Sequence, residues 1–190
     1  PNVATAGGVF ANVKVNQRIY ELPETKKLFV HPDMRDSGLA VGAALQVYSR
    51  KHQLKPKLLS DVFLGPSFED GAVERTVDRR KLRENFDVEE YDNKSSLAES
   101  VADLLSSGNV VNLYTGRIEY GPRALGNRST LYQPTDPSSI EWLNAQLDRT
   151  EFMPFAPVTL KEYANQCYKN YDPDDCPAAQ FMTVSFDCTE

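Results

Sequence analysis

The apolar positions of this chain change period several times, and each change predicts an element. Near the start, Val9-Phe10-Ala11-Asn12-Val13-Lys14-Val15 begins to alternate apolar with polar residues ahead of Asn16-Gln17-Arg18 and Ile19-Tyr20. That pattern predicts a strand, a polar turn and a second strand paired as a hairpin. Leu28-Phe29-Val30 is a short apolar run closed by His31-Pro32, where proline ends ladder pairing and disfavours helix in the residue before it. From Leu39 the spacing turns helical. Leu39, Ala43 and Val47 share a face, Asp36 and Ser37 stand where a cap is needed, and Lys51 and His52 lie at the far end. Gly42 inside this helix costs about 1 kcal/mol relative to alanine. Pro56, in the basic stretch from Lys51 to Lys57, interrupts any helix and marks a domain boundary near residue 60.

Beyond it, Phe63-Leu64-Gly65-Pro66 reads as a short strand and turn, and Ser67-Phe68-Glu69-Asp70 opens a charged helix. Phe86-Asp87-Val88 is compatible with a brief strand. Ser96 and Glu99 have the spacing of a capping box, with Leu97, Val101, Leu104 and Leu105 on one face and Gly108 at the stop. The apolar start of Val110-Val111-Asn112-Leu113-Tyr114 suggests a buried central strand. Asp136-Pro137 opens a helix with Ile140, Leu143 and Leu147 facing inward. Pro154 to Leu160 reads as turn then strand, Glu162 to Tyr171 as a helix, and Phe186-Asp187-Cys188 as a strand. Helices and strands mixed in this way predict an α/β class with a mixed sheet.

Composition narrows the function classes. The 190 residues are 41% hydrophobic and 25% charged, which suits a globular protein and excludes collagen-like and disordered classes. The net charge of −6, from 21 basic and 27 acidic residues, argues against nucleic acid or an anionic membrane as partner. No apolar run approaches the roughly 18 residues of a spanning helix, and Pro1 to Gly8 lacks the charged start and apolar core of a signal peptide. A cytoplasmic location is expected. Cys167, Cys176 and Cys188 are an odd set without a C-x-x-C pair, as in a reducing compartment. With no starting Met and an end just past a strand, the chain reads as a fragment of a longer one.

The richest chemistry lies in Tyr114-Thr115-Gly116-Arg117-Ile118-Glu119-Tyr120-Gly121-Pro122-Arg123-Ala124-Leu125-Gly126-Asn127-Arg128-Ser129, directly after a predicted strand. Arginine offers a planar fork that meets one phosphate or carboxylate with two hydrogen bonds and keeps its charge at any working pH. Glycines let backbone N–H groups approach the same anion. The spacing matches neither the G-x-x-x-x-G-K-S/T phosphate loop nor the G-x-G-x-x-G fingerprint. Without a nearby histidine, catalysis here would rest on positioning and charge stabilisation. A surface loop with arginines paired to acidic residues is the plain alternative.

Several segments occur together in one order: Gly7-Gly8-Val9-Phe10-Ala11-Asn12, Asp36-Ser37-Gly38 with Gly42-Ala43-Ala44, Phe63-Leu64-Gly65-Pro66, Gly116 to Ser129, and Pro154-Phe155-Ala156-Pro157. In this the chain resembles the O-carbamoyltransferases of the nodulation and antibiotic-tailoring type. The resemblance implies the C-terminal part of an actin-like, ATPase-type domain over residues 1–60. A threonylcarbamoyl-adenylate-synthase-like α/β domain would follow over 61–190, truncated at its C-terminus. It implies activation of carbamoyl phosphate with ATP as carbamoyl-adenylate, then transfer of the carbamoyl group to a hydroxyl of a small acceptor. ATP, with magnesium as its candidate companion, would be the cofactor, and a homodimer is compatible with the family.

On this reading Arg117, Arg123, Arg128 and Arg149 converge on the phosphates and neutralise developing charge. Thr115 and Glu119 would orient them, and Gly116, Gly121, Gly126, Asn127 and Ser129 would line the same site. Gly7, Gly8, Val9 and Asn12 match the family's glycine turn at the nucleotide and acceptor. Asp36 aligns with a D-x-G aspartate that supplies one ligand to a divalent, iron-type metal, whose histidine ligands would precede Pro1; read without the resemblance, it is a helix cap. His31 and His52 fall outside that motif and read as structural or solvated. Where relatives carry K-x-R-E-x-F-R-P-F-A-P, this chain has Leu147 for the lysine and Met153 for the second arginine, keeping only Arg149. Those losses leave an alternative, a nucleotide- or anion-binding regulatory module without catalysis. A sugar-kinase-like phosphotransferase ranks last, because the arginine loop has no place in that fold. The chain by itself is expected to fall short of the full transfer reaction.

Overall fold

The computed structural model describes residues 1–55, 59–135, 137–149 and 154–189, so the expectations at Pro56, Asp136 and Met153 lie outside the described residues. The fold is mixed α/β, with short helices and two small sheets. It divides into two compact units that do not follow chain order. Unit 1 takes Pro1–Leu64, Glu119–Leu125 and Val158–Glu190; unit 2 takes Gly65–Ile118 and Gly126–Pro157.

Unit 1 is built on β1 (Asn2–Thr5) and β2 (Lys27–Val30), which pair in parallel with Asn2 opposite Lys27 and Thr5 opposite Val30. Parallel strands need a crossover, and α1 (Val13–Tyr20) lies within it. The predicted hairpin over Val9–Tyr20 is therefore corrected to a 3-10 turn (Gly8–Ala11) followed by this helix. The reason is Asn12. Its side-chain oxygen accepts the backbone N–H groups of Lys14 and Val15, satisfying two of the donors that open a helix. The predicted run Leu28-Phe29-Val30 does form a strand, and Leu28 and Val30 point into the core.

That core is Leu28, Val30, Met34, Cys176, Ala178 and Val184, joined by partly buried Val3, Phe10, Ile19 and Phe186. Half of it comes from a segment more than 140 residues further along. The predicted helix over Glu162–Tyr171 shrinks to a 3-10 turn (Lys161–Tyr163) and one turn of α6 (Ala164–Cys167), and the strand predicted over Pro154–Leu160 is absent among the described residues. Near the end, Cys188 makes only an isolated antiparallel bridge with Tyr168. Polar bonds hold this irregular stretch. The amide of Asn16, fully buried, donates to the carbonyls of Phe10 and Thr183, and the hydroxyl of Thr183 donates to Ala178. α2 (Gly38–Ser49) forms where helical spacing predicts it, although Ser37, its cap position, makes no side-chain capping bond and none of its residues is buried.

In unit 2, α3 (Asp70–Arg79) and α4 (Lys94–Ser106) agree with the sequence in place but not in cap. Asn93 caps α4, accepting from Ser95 and Ser96, in place of the predicted Ser96–Glu99 box. Gly108 takes a positive φ of 82° just past the helix, as its stop residue should. β3 (Val111–Tyr114) is half-exposed and pairs antiparallel with β4 (Arg128–Leu131), so the predicted buried central strand is corrected to one half of a two-stranded ladder. α5 (Ser139–Gln146) buries Leu143, while Leu147 just beyond it is exposed. No strand forms at Phe63-Leu64-Gly65 or Phe86-Asp87-Val88.

Candidate functional site

The arginine-rich loop between β3 and β4 is shared between the two units. Its ends, Thr115–Ile118 and Gly126–Asn127, belong to unit 2, and its middle, Glu119–Leu125, belongs to unit 1.

In unit 2 the ends are fastened to each other. Thr115 N–H donates to the carbonyl of Asn127 at 3.0 Å, and the Asn127 amide donates to the carbonyl of Arg117 at 2.7 Å. Arg128 reaches back across the ladder, giving Nη1 to the carbonyls of Thr115 at 2.5 Å and Asn127 at 2.8 Å, and Nη2 to Gly116 at 3.3 Å. Its guanidinium also lies 3.5 Å from the centre of the Tyr114 ring, a cation–π stack that fixes the plane of the fork. Arg117 donates Nε to the carbonyl of Gly65 at 2.8 Å, and Gly65 N–H donates to Ile118. Gly116 has φ +53°, a backbone conformation that favours glycine, and a Cβ there would stand 2.9 Å from the Asn127 side-chain amide, which would have to shift. Gly126 N–H donates to Ser129 Oγ. Arg149 stacks 5.0 Å from the centre of the Phe155 ring. A guanidinium has five N–H donors, and the bonds to carbonyls orient the planar groups of Arg117 and Arg128.

In unit 1 the middle of the loop meets the two segments singled out near the chain start. Glu119 accepts the N–H of Leu125 at 2.9 Å and closes this segment on itself. Tyr120 shares a 3.0 Å hydrogen bond with His31 Nε2, and the two rings meet edge to face. Burial and, less, the nearby Asp33 carboxylate push the Tyr120 phenol above its usual range. Gly121 has φ +108°, and a Cβ on it would lie 2.8 Å from the carbonyl oxygen of Pro32. Arg123 donates Nη2 to the carbonyl of Ala11 at 2.8 Å, while its Nε is buried without a hydrogen-bond partner. Thus Arg123 lies in unit 1 with the glycine turn, whereas Arg117, Arg128 and Arg149 lie in unit 2.

The glycine turn and the Asp36 loop are themselves linked, since Gly7 N–H donates to the carbonyl of Met34 at 2.7 Å. Gly8 and Val9 sit in the 3-10 turn, and the side chain of Asn12 is occupied in capping α1. Ser37 Oγ donates to Asp33 at 2.6 Å. Gly38 is needed because a Cβ would collide with the carbonyl oxygen of Asp33. Asp36 is exposed, and its carbonyl accepts the N–H of Leu39. Among the described residues no three of His, Cys, Asp and Glu gather closely enough to hold a metal ion. Asp36 alone does not make a metal site. His52 stacks on Tyr48, 4.4 Å between ring centres.

Sequence reasoning missed His31, Asp33 and Tyr120. The signal available was the pair of rigid dipeptides, His31-Pro32 and Gly121-Pro122, but nothing local says that they meet.

Residues 1–45 match the carbamoyltransferase N-terminus model, and residues 102–190 match the carbamoyltransferase C-terminus model. The chain is 34% identical over 170 residues to an uncharacterized protein of Methanocaldococcus jannaschii, covering 88% of this chain and 28% of that one. It is 34% identical over 180 residues to nodulation protein NolO of Bradyrhizobium diazoefficiens, covering 93% and 32%. With nodulation protein NolNO of Sinorhizobium fredii the identity is 33% over 184 residues, covering 95% and 26%. The chain therefore spans about a third or less of the length of these relatives. No helix among the described residues is long and apolar enough to cross a membrane.

Proposed function

Because the chain belongs to the carbamoyltransferase family, we propose that it forms part of an ATP-dependent enzyme that makes carbamoyl-adenylate from carbamoyl phosphate. The carbamoyl group then passes to a hydroxyl of a small acceptor. The observation that carries this reading is the pinned arginine loop of unit 2, which holds charged forks in fixed planes against backbone carbonyls. Fixed cations suit an adenylation, in which negative charge builds on phosphate oxygens and little covalent chemistry falls to the protein. Arg117 and Arg128 meet those oxygens from the loop, and Arg149, stacked on Phe155, adds a third cation. Thr115, Gly116, Asn127 and Ser129 set the loop's shape. In unit 1 the Gly7-Gly8-Val9 turn and the Asp36 loop serve the nucleotide and the transfer step. Water cleaves carbamoyl phosphate to carbamate and inorganic phosphate; when bound, ATP supplies the adenylyl group, the carbamate oxygen forming the new bond at the α-phosphorus as the bond to the leaving pyrophosphate breaks.

A titration of carbamoyl phosphate in the presence of a non-hydrolysable ATP analogue tests the site. Binding to the wild type and its loss in Arg117→Ala is the expected pair; equal binding by both removes the assignment. Leu147, which is exposed at the position where the family resemblance implies a lysine, favours a second reading, an anion-binding regulatory module without catalysis. That reading requires binding of carbamoyl phosphate with no pyrophosphate formed.

A further inference from the structure

Arg123 was expected to act beside the other arginines of its loop, yet its nearest bond is to Ala11, 112 residues away. The whole segment Glu119–Leu125 behaves alike. Tyr120 N–H donates to Val62 at 2.7 Å, its hydroxyl binds His31, and Gly121 rests against the carbonyl of Pro32. We infer that this segment is a positioning strap: through Tyr120 and Arg123 it sets the Asp36 loop and the Gly7–Ala11 turn for carbamoyl transfer. The inference rests on the carbamoyltransferase reading for the step it names, and on unit 1 alone for the positioning.

Three features support it. First, the loop it grips is buried at one end and exposed at the other. Pro32, Asp33 and Met34 are buried, whereas Arg35, Asp36 and Ser37 are exposed, so the position of Asp36 follows from how the His31–Met34 stem is held. His31 is held twice, by its backbone N–H to Thr5 and by its ring to Tyr120. Second, the approach of Gly121 to Pro32 leaves no room for a Cβ, so strap and stem fit closely along the backbone as well as through side chains. Third, Arg123 is a costly choice for a purely mechanical clamp. Its charge has no carboxylate within ion-pair distance among the described residues, and its buried Nε goes unpaired. Desolvating a cation in that way is unfavourable unless something else gains from it. A fixed positive charge beside the glycine turn favours an anion arriving there, and carbamoyl-adenylate carries one on its phosphate.

The strap is a positioning device, so its loss should slow the step after activation and leave activation alone. Tyr120→Phe removes the bond to His31 and keeps the ring; Arg123→Lys keeps the charge, and Arg123→Gln removes it. In the full-length protein, Tyr120→Phe should raise amide exchange across residues 31–38 about fivefold, as expected for one lost hydrogen bond, with α4 unchanged. The single-turnover burst of pyrophosphate from ATP and carbamoyl phosphate should stay at the wild-type rate. Release of AMP, with water as the acceptor, should fall about tenfold. Arg123→Lys should retain most of that AMP release and Arg123→Gln should lose it. Unchanged exchange in 31–38 overturns the strap, and so does a pyrophosphate burst that falls in step with AMP. If the wild type gives no burst, the carbamoyltransfer reading fails, and the exchange measurement alone decides whether the strap positions the loop.

Discussion

Unit 1 is held by burial from distant parts of the chain, and unit 2 largely by hydrogen bonds and a cation–π stack. Among the described residues every buried apolar one but Leu143 lies in unit 1, where Leu28 and Val30 from the start of the chain pack with Cys176, Ala178 and Val184 from its end. Unit 2 rests on the β3–β4 ladder, the capped α4 and an arginine that stacks on one ring and bonds three carbonyls. The contrast separates two ways of fixing a site. Unit 1 fixes the glycine turn and Asp36 loop by anchoring their stems in a core, whereas unit 2 fixes cations by orienting each fork locally.

The sharpest break in that comparison is a core truncation. Leu28→Ala should destabilise unit 1 by about 3 kcal/mol, the usual cost of a buried leucine, whereas Leu104→Ala on the exposed side of α4 should cost less than about 1 kcal/mol. Urea titrations read by amide exchange in each unit check both. Next in size is Gly121→Ala, which puts a Cβ into a positive-φ position and against the carbonyl of Pro32. It should cost about 2 kcal/mol and loosen the His31–Met34 stem. Smaller still, Asn93→Ala should remove about 1 kcal/mol from α4, with the loss visible as faster exchange at Ser95 and Ser96 and no change in unit 1.

Alkaline pH sharpens the same contrast. Burial pushes the Cys176 thiol up to about 11 and the Tyr20 phenol to about 12. Both groups are uncharged in their protonated forms, so folding favours the protonated state. The stability they lend is whole below about pH 9, the ordinary thiol range, and is lost as pH rises through their folded values. The urea midpoint of unit 1 should therefore fall between pH 9 and 12, and Cys176→Ala should flatten the lower part of that fall. At pH 8 an alkylating reagent should modify exposed Cys188 well before buried Cys176.

The same difference explains what was legible in the sequence. α4 and α2 follow helical spacing, and β2 is a short apolar run closed by proline; all three are local patterns. α1 was misread because Val13 and Val15 alternate with polar neighbours as a strand would. Its buried face is instead Asn16 and Gln17, polar residues that are buried because they bond to Thr183 and Ser185 near the chain end. No period announces such a face. The end segment itself, Cys176 to Val184, enters the core as a short 3-10 helix (Pro177–Phe181) with irregular chain on either side, too short for a hydrophobic period to mark it. At the candidate site, residue types and glycine spacing marked the arginine loop. Its division into a unit 2 frame and a unit 1 strap depends on Tyr120 meeting His31 across 89 positions, which spacing cannot show.

The central claim is that the unit 2 arginines carry activation while the strap in unit 1 serves the later step. Pyrophosphate release by the full-length protein, measured with ATP and carbamoyl phosphate together and with each alone, tests it most directly. The account predicts release only when both are present, a fall of about a hundredfold in Arg117→Ala, and no fall in Tyr120→Phe. Release that does not depend on carbamoyl phosphate, or that persists unchanged in Arg117→Ala, would contradict it.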